Sequence, residues 1–276
     1  MASVSTVERV VVIYTGWARF NLFLGYHHVM MMVLTVSIVL SSILLAGCSS
    51  SNMNNVYLLS LSYASTPSHQ DAVQVNPSIS TTFANLTTPA PALEVRVGYM
   101  GFCMPDSTGD WICSRHAKSL AKTINNTHTS SSGDPLNLLW IANNFQSQIV
   151  FDGLIFSTVP LVFISILLLS TFPRWHEEED AEGSEREVKP FPSRPVSYIV
   201  FALLILASLL IFVSVFWQHI ASSAAVTMGQ SLSYGTVKGK VGAVAMVLGW
   251  GSVFLDILAG VAMYVMILSI KVLSET

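Results

Sequence analysis

Residues 97–114, VGYMGFCMPDSTGDWICS, hold two of the chain's three cysteines, Cys103 and Cys113, together with Gly98, Gly101 and Trp111. Between the thiols lie the turn formers Pro105, Asp106, Ser107, Gly109 and Asp110, so the pair is expected to oxidise to a local disulfide. Such a bridge removes about 3 kcal/mol of unfolded-state entropy on the chain-closure model. Cys48 is expected to stay unpaired, as a small apolar residue at the end of an apolar run. Gly98 and Gly101 suit a strand that bends or approaches another backbone, and Trp111 can cover the bridge.

A second kind of chemistry is offered by Asp256, in the apolar run LGWGSVFLDILAG. A carboxyl at membrane depth costs at least about 2.5 kcal/mol, so it should face a bundle interior. Two roles follow: an ion-related site, or a protonated acid that bonds Thr35, Ser37, Ser41 or Ser42 of the first apolar run. Ala245 and Gly249 form a small-xxx-small pair that lets another helix approach. Asp152 is expected to touch water. Asp106, Asp110 and Asp134 are hard oxygen donors of the kind calcium takes, but their order does not match an EF-hand, and turn and cap roles explain them better. No cofactor is expected, and calcium lacks a ligand motif. The seven histidines show no metal-ligand spacing, and His27 with His28 fits a membrane interface. No metal site is expected. With no nucleophile elbow, phosphate loop, zinc-protease box or paired catalytic carboxylates, the chain reads as no enzyme.

The elements that must position these residues are membrane spans. Of 276 residues, 52% are hydrophobic and 11% charged, against roughly 25% charged in a soluble domain. The apolar residues fall into four blocks, 29–47, 150–172, 196–217 and 241–270, each near or above the roughly 18 residues that read as a spanning helix. Arg9, Arg19, Arg174, Arg186, Lys189, Arg194 and Lys271 lie on one side of these spans. Lys238 and Lys240 lie in the short loop on the other, so both termini are expected to be cytosolic. The domain plan is a cytosolic N-terminus (1–28), a first extracellular loop (48–149), a cytosolic loop (173–195), a second extracellular loop (218–240) and a cytosolic C-terminus (271–276). The net charge of −3 suggests no nucleic-acid partner. Residues 1–28 precede the first apolar run, so no cleavable signal is expected. LLAGCSS matches a bacterial lipoprotein cleavage box, but cleavage there would discard the first span.

Within the first loop, YLLSLSY and LEVRVGYM alternate with strand periodicity and should pair. The first sets Tyr57, Leu59, Leu61 and Tyr63 on one face; the second does so with Leu93, Val95, Val97 and Tyr99. Residues 64–92 between them read as an extended Pro/Ser/Thr-rich excursion. Ala117, Leu120, Ala121 and Ile124 predict a short amphipathic helix. Asp134 and Pro135 predict the cap of a helix running through LNLLWIANNFQSQ into the second span. The acid-rich segment 173–195 reads as a solvated linker. Asn85 and Asn125 are the N-glycosylation acceptors of the chain, and both fall in the first loop.

Four spans, a long first loop, a short second one and Gly-x-x-Gly-x-Cys followed by Cys together resemble the claudin superfamily. More narrowly, GYMGFC with WIC resembles the fungal claudin-like factor-induced-gene family of calcium regulators and membrane-fusion proteins, on Gly98, Gly101, Cys103, Trp111 and Cys113. The metazoan claudin signature with Trp shortly before Gly-Leu-Trp-Cys is not fully present, so no tight-junction seal is implied. The fold class expected is an all-α membrane protein: a four-helix transmembrane bundle with a small disulfide-bonded, β-containing extracellular domain. The resemblance implies a plasma-membrane protein of mating or polarised growth that promotes low-affinity calcium influx and membrane fusion. The implied partners are membrane lipids and either a second copy or a calcium channel. The alternative is a scaffold that organises membrane domains or contacts the cell wall.

Overall fold

A computed structural model describes residues 26–64, 77–87, 93–106, 108–127, 134–172, 176–179, 185–188 and 193–275. Four of its helices are long and apolar enough to cross a membrane: α1 (Tyr26–Leu45), α5 (Gly153–Ser170), α6 (Arg194–Leu232) and α7 (Ala243–Glu275). Shorter helices are α2 (Pro77–Thr87), α3 (Ala117–Thr127) and α4 (Leu138–Gln148). The strands are β1 (Leu59–Tyr63), β2 (Glu94–Val97), β3 (Phe102–Pro105), β4 (Trp111–Ser114), β5 (His176–Glu179), β6 (Glu185–Val188) and β7 (Val237–Val241).

The chain divides into two compact units, each described by itself. One takes the described parts of Met1–Ile38, Pro160–Ser208 and Phe254–Thr276; the other takes those of Val39–Val159 and Leu209–Val253. The core of the first is apolar helix packing. Met30 and Leu34 of α1, Val162 and Leu169 of α5, Leu204 and Ala207 of α6, and Ala259 and Met263 of α7 are buried together.

The second unit is built around a five-stranded antiparallel sheet, ordered β4-β3-β2-β1-β7. Alternation sends Leu59, Leu61, Tyr63, Val95, Val97, Phe102 and Met104 to one face. There they pack on Leu120 of α3 and on Leu138, Leu139, Ala142 and Phe145 of α4. The periodicity of the two expected strands thus describes this face, except at its ends. Tyr57 precedes the ladder and lies under Arg96, and Tyr99 packs with Leu44, Leu45, Val56 and Leu58 instead.

Four segments differ from their sequence expectations. The helix expected to run from Asp134 into the second span starts at Leu138, because Asn137 adopts a left-handed φ of 54°, and it ends before α5 begins. The excursion 64–92 contains α2, with its remaining residues outside the described ones apart from Ala64. The linker 173–195 contains the antiparallel hairpin β5–β6, while much of the rest, including Arg174 and Lys189, lies outside the described residues, as do Arg9 and Arg19. The third spanning helix, α6, runs on through residues expected to be loop. Ala225 and Val226 pack against the sheet core, and the helix stops at Tyr234 and Gly235, whose φ values are 53° and 76°. The Gly235 N–H closes it on the Gln230 carbonyl at 2.9 Å. The next segment, β7, then pairs with β1 from Leu59↔Val241 to Tyr63↔Val237.

Candidate functional site

The cysteine segment folds as a tight hairpin. Cys103 of β3 and Cys113 of β4 are directly opposed in the ladder and joined by a disulfide. The turn between them is closed by Asp106 N–H to the Asp110 carbonyl at 2.8 Å, and by Gly109 N–H to the Asp106 carbonyl at 2.9 Å. Gly109, at φ 88°, takes the left-handed position that favours glycine.

On this side of the sheet Arg96, opposite Cys103 in the register, forms a clamp. Its guanidinium lies 3.9 Å from the centroid of Trp111 and 5.0 Å from that of Tyr57. Arg96 Nε donates to Glu94 Oε1 at 2.9 Å, and its Nη1 donates to both the Asn54 carbonyl and Asn55 Oδ1 at 3.2 Å. Ser60 Oγ donates to the same Glu94 oxygen at 2.8 Å. A planar cation held over two rings and bonded to several acceptors is a site for Arg rather than Lys. Trp111 therefore packs on Arg96, on the face of β4 that also carries Cys113.

Gly98 and Gly101 mark a joint between the sheet and the end of α1. A Cβ on Gly98 would overlap the Gly47 carbonyl oxygen, and one on Gly101 would overlap that of Cys48. Gly98 N–H closes the intervening turn on the Gly101 carbonyl at 2.9 Å. Gln146 of α4 donates to the carbonyls of Gly98 and Tyr99 at 3.1 and 3.0 Å, gripping the turn from the other side. Cys48 is fully buried, with a φ of 55°. Its thiol donates to the Val56 carbonyl at 3.6 Å, and its own carbonyl oxygen lies 3.7 Å from Cys103 Sγ. Burial pushes this thiol up to about 12, against a smaller opposing pull from Arg96. Cys48 is thus a protonated, unpaired packing residue, and its carbonyl seats the disulfide. A further glycine, Gly242, meets the Tyr57 carbonyl where β7 leads into α7.

The candidate acids are placed differently. Asp134 accepts from the Tyr63 hydroxyl and from the Leu139 N–H at 3.0 Å, which caps α4. Burial, then this hydrogen bond, pushes the Tyr63 hydroxyl above its ordinary value. Asp106 and Asp110 belong to the hairpin turn. Asp152 is exposed, and its carbonyl accepts from Phe156 N–H at the start of α5. Among the described residues no three His, Cys, Asp or Glu side chains converge on one point. Asn85 is exposed on α2, and Asn125 lies on α3. The rings of His27 and His28 lie 4.1 Å apart, tilted by 42°, near the start of α1.

Asp256 is completely buried in the first unit. Ser37 of α1 is close enough to act on it, yet neither carboxylate oxygen meets hydrogen-bond geometry with any partner. Thr35 and Ser42 are exposed, and Thr35 is bonded to Met31 of its own helix. In the second unit, a Cβ on Gly249 would meet Val215 of α6 at 3.1 Å and Leu44 of α1 at 3.5 Å. The small residue there allows three helices to close.

The Arg96 clamp and the role of Gln146 are absent from the sequence reading. The available signal was a lone basic residue alternating with Val95 and Val97 beside Glu94. That pattern marks the open face of a strand but not the aromatic partners brought from Tyr57 and Trp111.

No curated protein matches the chain significantly. The family model described as "Ca2+ regulator and membrane fusion protein Fig1" matches residues 79–269, which covers β2, β3, β4, β7 and three of the four spanning helices. The chain therefore belongs to the Fig1 family, whose description names calcium regulation and membrane fusion.

Proposed function

We propose that this chain is a claudin-like plasma-membrane protein that regulates low-affinity calcium influx and membrane fusion during fungal mating or polarised growth. Both termini are cytosolic, the sheet is extracellular, and Asn85 and Asn125 carry glycans. It works by assembly rather than by catalysis. The sheet contacts a second copy or a calcium channel, and the spanning helices follow what the sheet does.

The observation that supports this reading best is the glycine joint. The end of α1 is seated against Gly98 and Gly101 with no side chain between the backbones. β7 leads through Gly242 directly into α7. A contact made at the sheet therefore acts on the ends of two spans, whereas a contact on a loose loop would dissipate in the loop.

The test is removal of the chain from mating cells, with calcium uptake and completed fusions measured and expression timed. Expression restricted to mating contacts, with both readouts reduced and restored by the wild-type chain, is the expected result. Constant expression in static patches with normal uptake and fusion would overturn the proposal in favour of a scaffold.

A further inference from the structure

The helix-covered side of the sheet carries a feature that the glycine joint does not use. Leu59 and Leu61 of β1, Trp140 and Phe145 of α4, and Met228 and Leu232 of α6 bound an apolar groove of about 500 Å³. This lies within the roughly 300–1,000 Å³ of small-molecule sites. The groove is open: Trp140, Met228 and Leu232 are 59%, 63% and 76% exposed. Its polar lining side chains are Asn144, Gln148 and Ser233. A polar ligand would find few partners there.

One end of the groove lies beside the tryptophan that marks a membrane boundary. Ile149 lines it, and the Ile149 carbonyl accepts from Trp217 Nε1 at 3.0 Å. Trp217 closes the strongly apolar stretch 196–217 of α6, before Gln218 and His219, and a tryptophan at such a boundary sits at head-group level. Exposed Phe151 continues the apolar surface from Ile149 toward α5. The other end reaches Leu61 and Val237 in the sheet. A hydrocarbon chain can therefore pass from the bilayer into the groove along apolar side chains. The concave shape and single-chain volume fit a lipid tail better than the broad flat face of a second copy.

We propose that this groove binds one acyl chain of a lipid from the leaflet on the sheet's side, with the Asn144 and Gln148 amides, one turn apart on α4, serving its ester or head-group oxygens. The proposal goes beyond the function inferred above. A tail held clear of its leaflet is one that an apposed membrane could receive, but the test reads lipid binding alone and needs no fusion.

The probe is phosphatidylcholine with a diazirine at the end of one acyl chain, forming nanodiscs around the full-length protein. After irradiation, lipid adducts are expected on the segments 140–149 and 225–233, in addition to the spans. Gly229 lines the groove, and a Cβ there would meet nothing within 4 Å. Gly229→Phe should therefore fill the groove and reduce these adducts several-fold while leaving those on the spans unchanged, and Gly229→Ala should leave both. Leu232→Gln, at an exposed position, provides a second variant that should also reduce them. Adducts confined to the spans, or undiminished in both Gly229→Phe and Leu232→Gln, would overturn the proposal. So would covalent homodimers through a photoreactive residue at position 232 without any lipid adduct, since a second copy would then fill the groove.

Discussion

The sheet and the apolar core of the first unit are held together by different means. Around the sheet, a handful of residues carry the structure through specific geometry: a cross-strand disulfide, an arginine over two rings, and two glycines against a helix end. In the first unit, Leu34, Leu204, Ala259 and Met263 are anonymous packing, and Asp256 is a carboxyl buried among the described residues. Residues that act through geometry fail when altered slightly, whereas residues that act through buried area tolerate exchange for others of similar volume. The contrast locates the sensitive machinery in the sheet and its joint.

The sharpest way to break the comparison is to cut the staple. Cys113→Ser should destabilise the sheet unit by about 3 kcal/mol. It should also lower surface abundance, as measured by denaturant-dependent protease resistance with and without reductant. An equal loss in the spanning helices would mean that the two regions do not differ. Next is the joint: Gly101→Ala sets a Cβ against the Cys48 carbonyl and should cost about 1 to 3 kcal/mol, the usual range for overpacking. The same change at Gly229 should be silent in the same assay, because nothing lies near it.

A smaller effect is expected in the helix core. Because neither Asp256 oxygen is well bonded, Asp256→Leu should change bundle stability by less than about 1 kcal/mol in either direction. If the acid serves ion passage, Asp256→Asn should lower calcium uptake at normal surface level. Normal uptake in Asn would remove Asp256 from the mechanism. Alkaline pH should give the mildest difference. The Cys48 thiol and the Tyr63 and Tyr99 hydroxyls are each pushed above their ordinary values chiefly by burial, so the fold holds them neutral while the unfolded chain ionises them. The thiol's stabilisation is complete below pH 9, where the unfolded thiol ionises, and is lost as pH rises through about 12; the two hydroxyls act in the same direction. Thermal melts across that range should show the sheet unit weakening first.

Much of this was legible in the sequence, for identifiable reasons. Spans announce themselves because lipid requires long uninterrupted apolar runs. The alternation of Leu59, Leu61 and Tyr63 with serines marked β1 because one face is buried. The cysteine pair was legible from its local spacing. The addition of β7 to the sheet was not, since VKGKV is short, half exposed and placed by pairing with β1 across a long stretch of chain. Nor was the extension of α6 beyond Trp217. Residues 218–232 are polar enough to read as loop, and their helix is fixed by Ala225 and Val226 packing on the sheet core. The glycines suggested a close approach, but what they approach, the carbonyls of Gly47 and Cys48, depends on tertiary structure alone.

The central claim is that the sheet governs the spans through the glycine joint. It is tested most directly by calcium uptake in mating cells that carry Gly101→Ala, compared with the wild type at matched surface abundance and with the Cys103–Cys113 disulfide verified. The account predicts a marked loss of uptake, because the sheet remains folded and delivered while its seat on the end of α1 is displaced. Wild-type uptake under those conditions would contradict it.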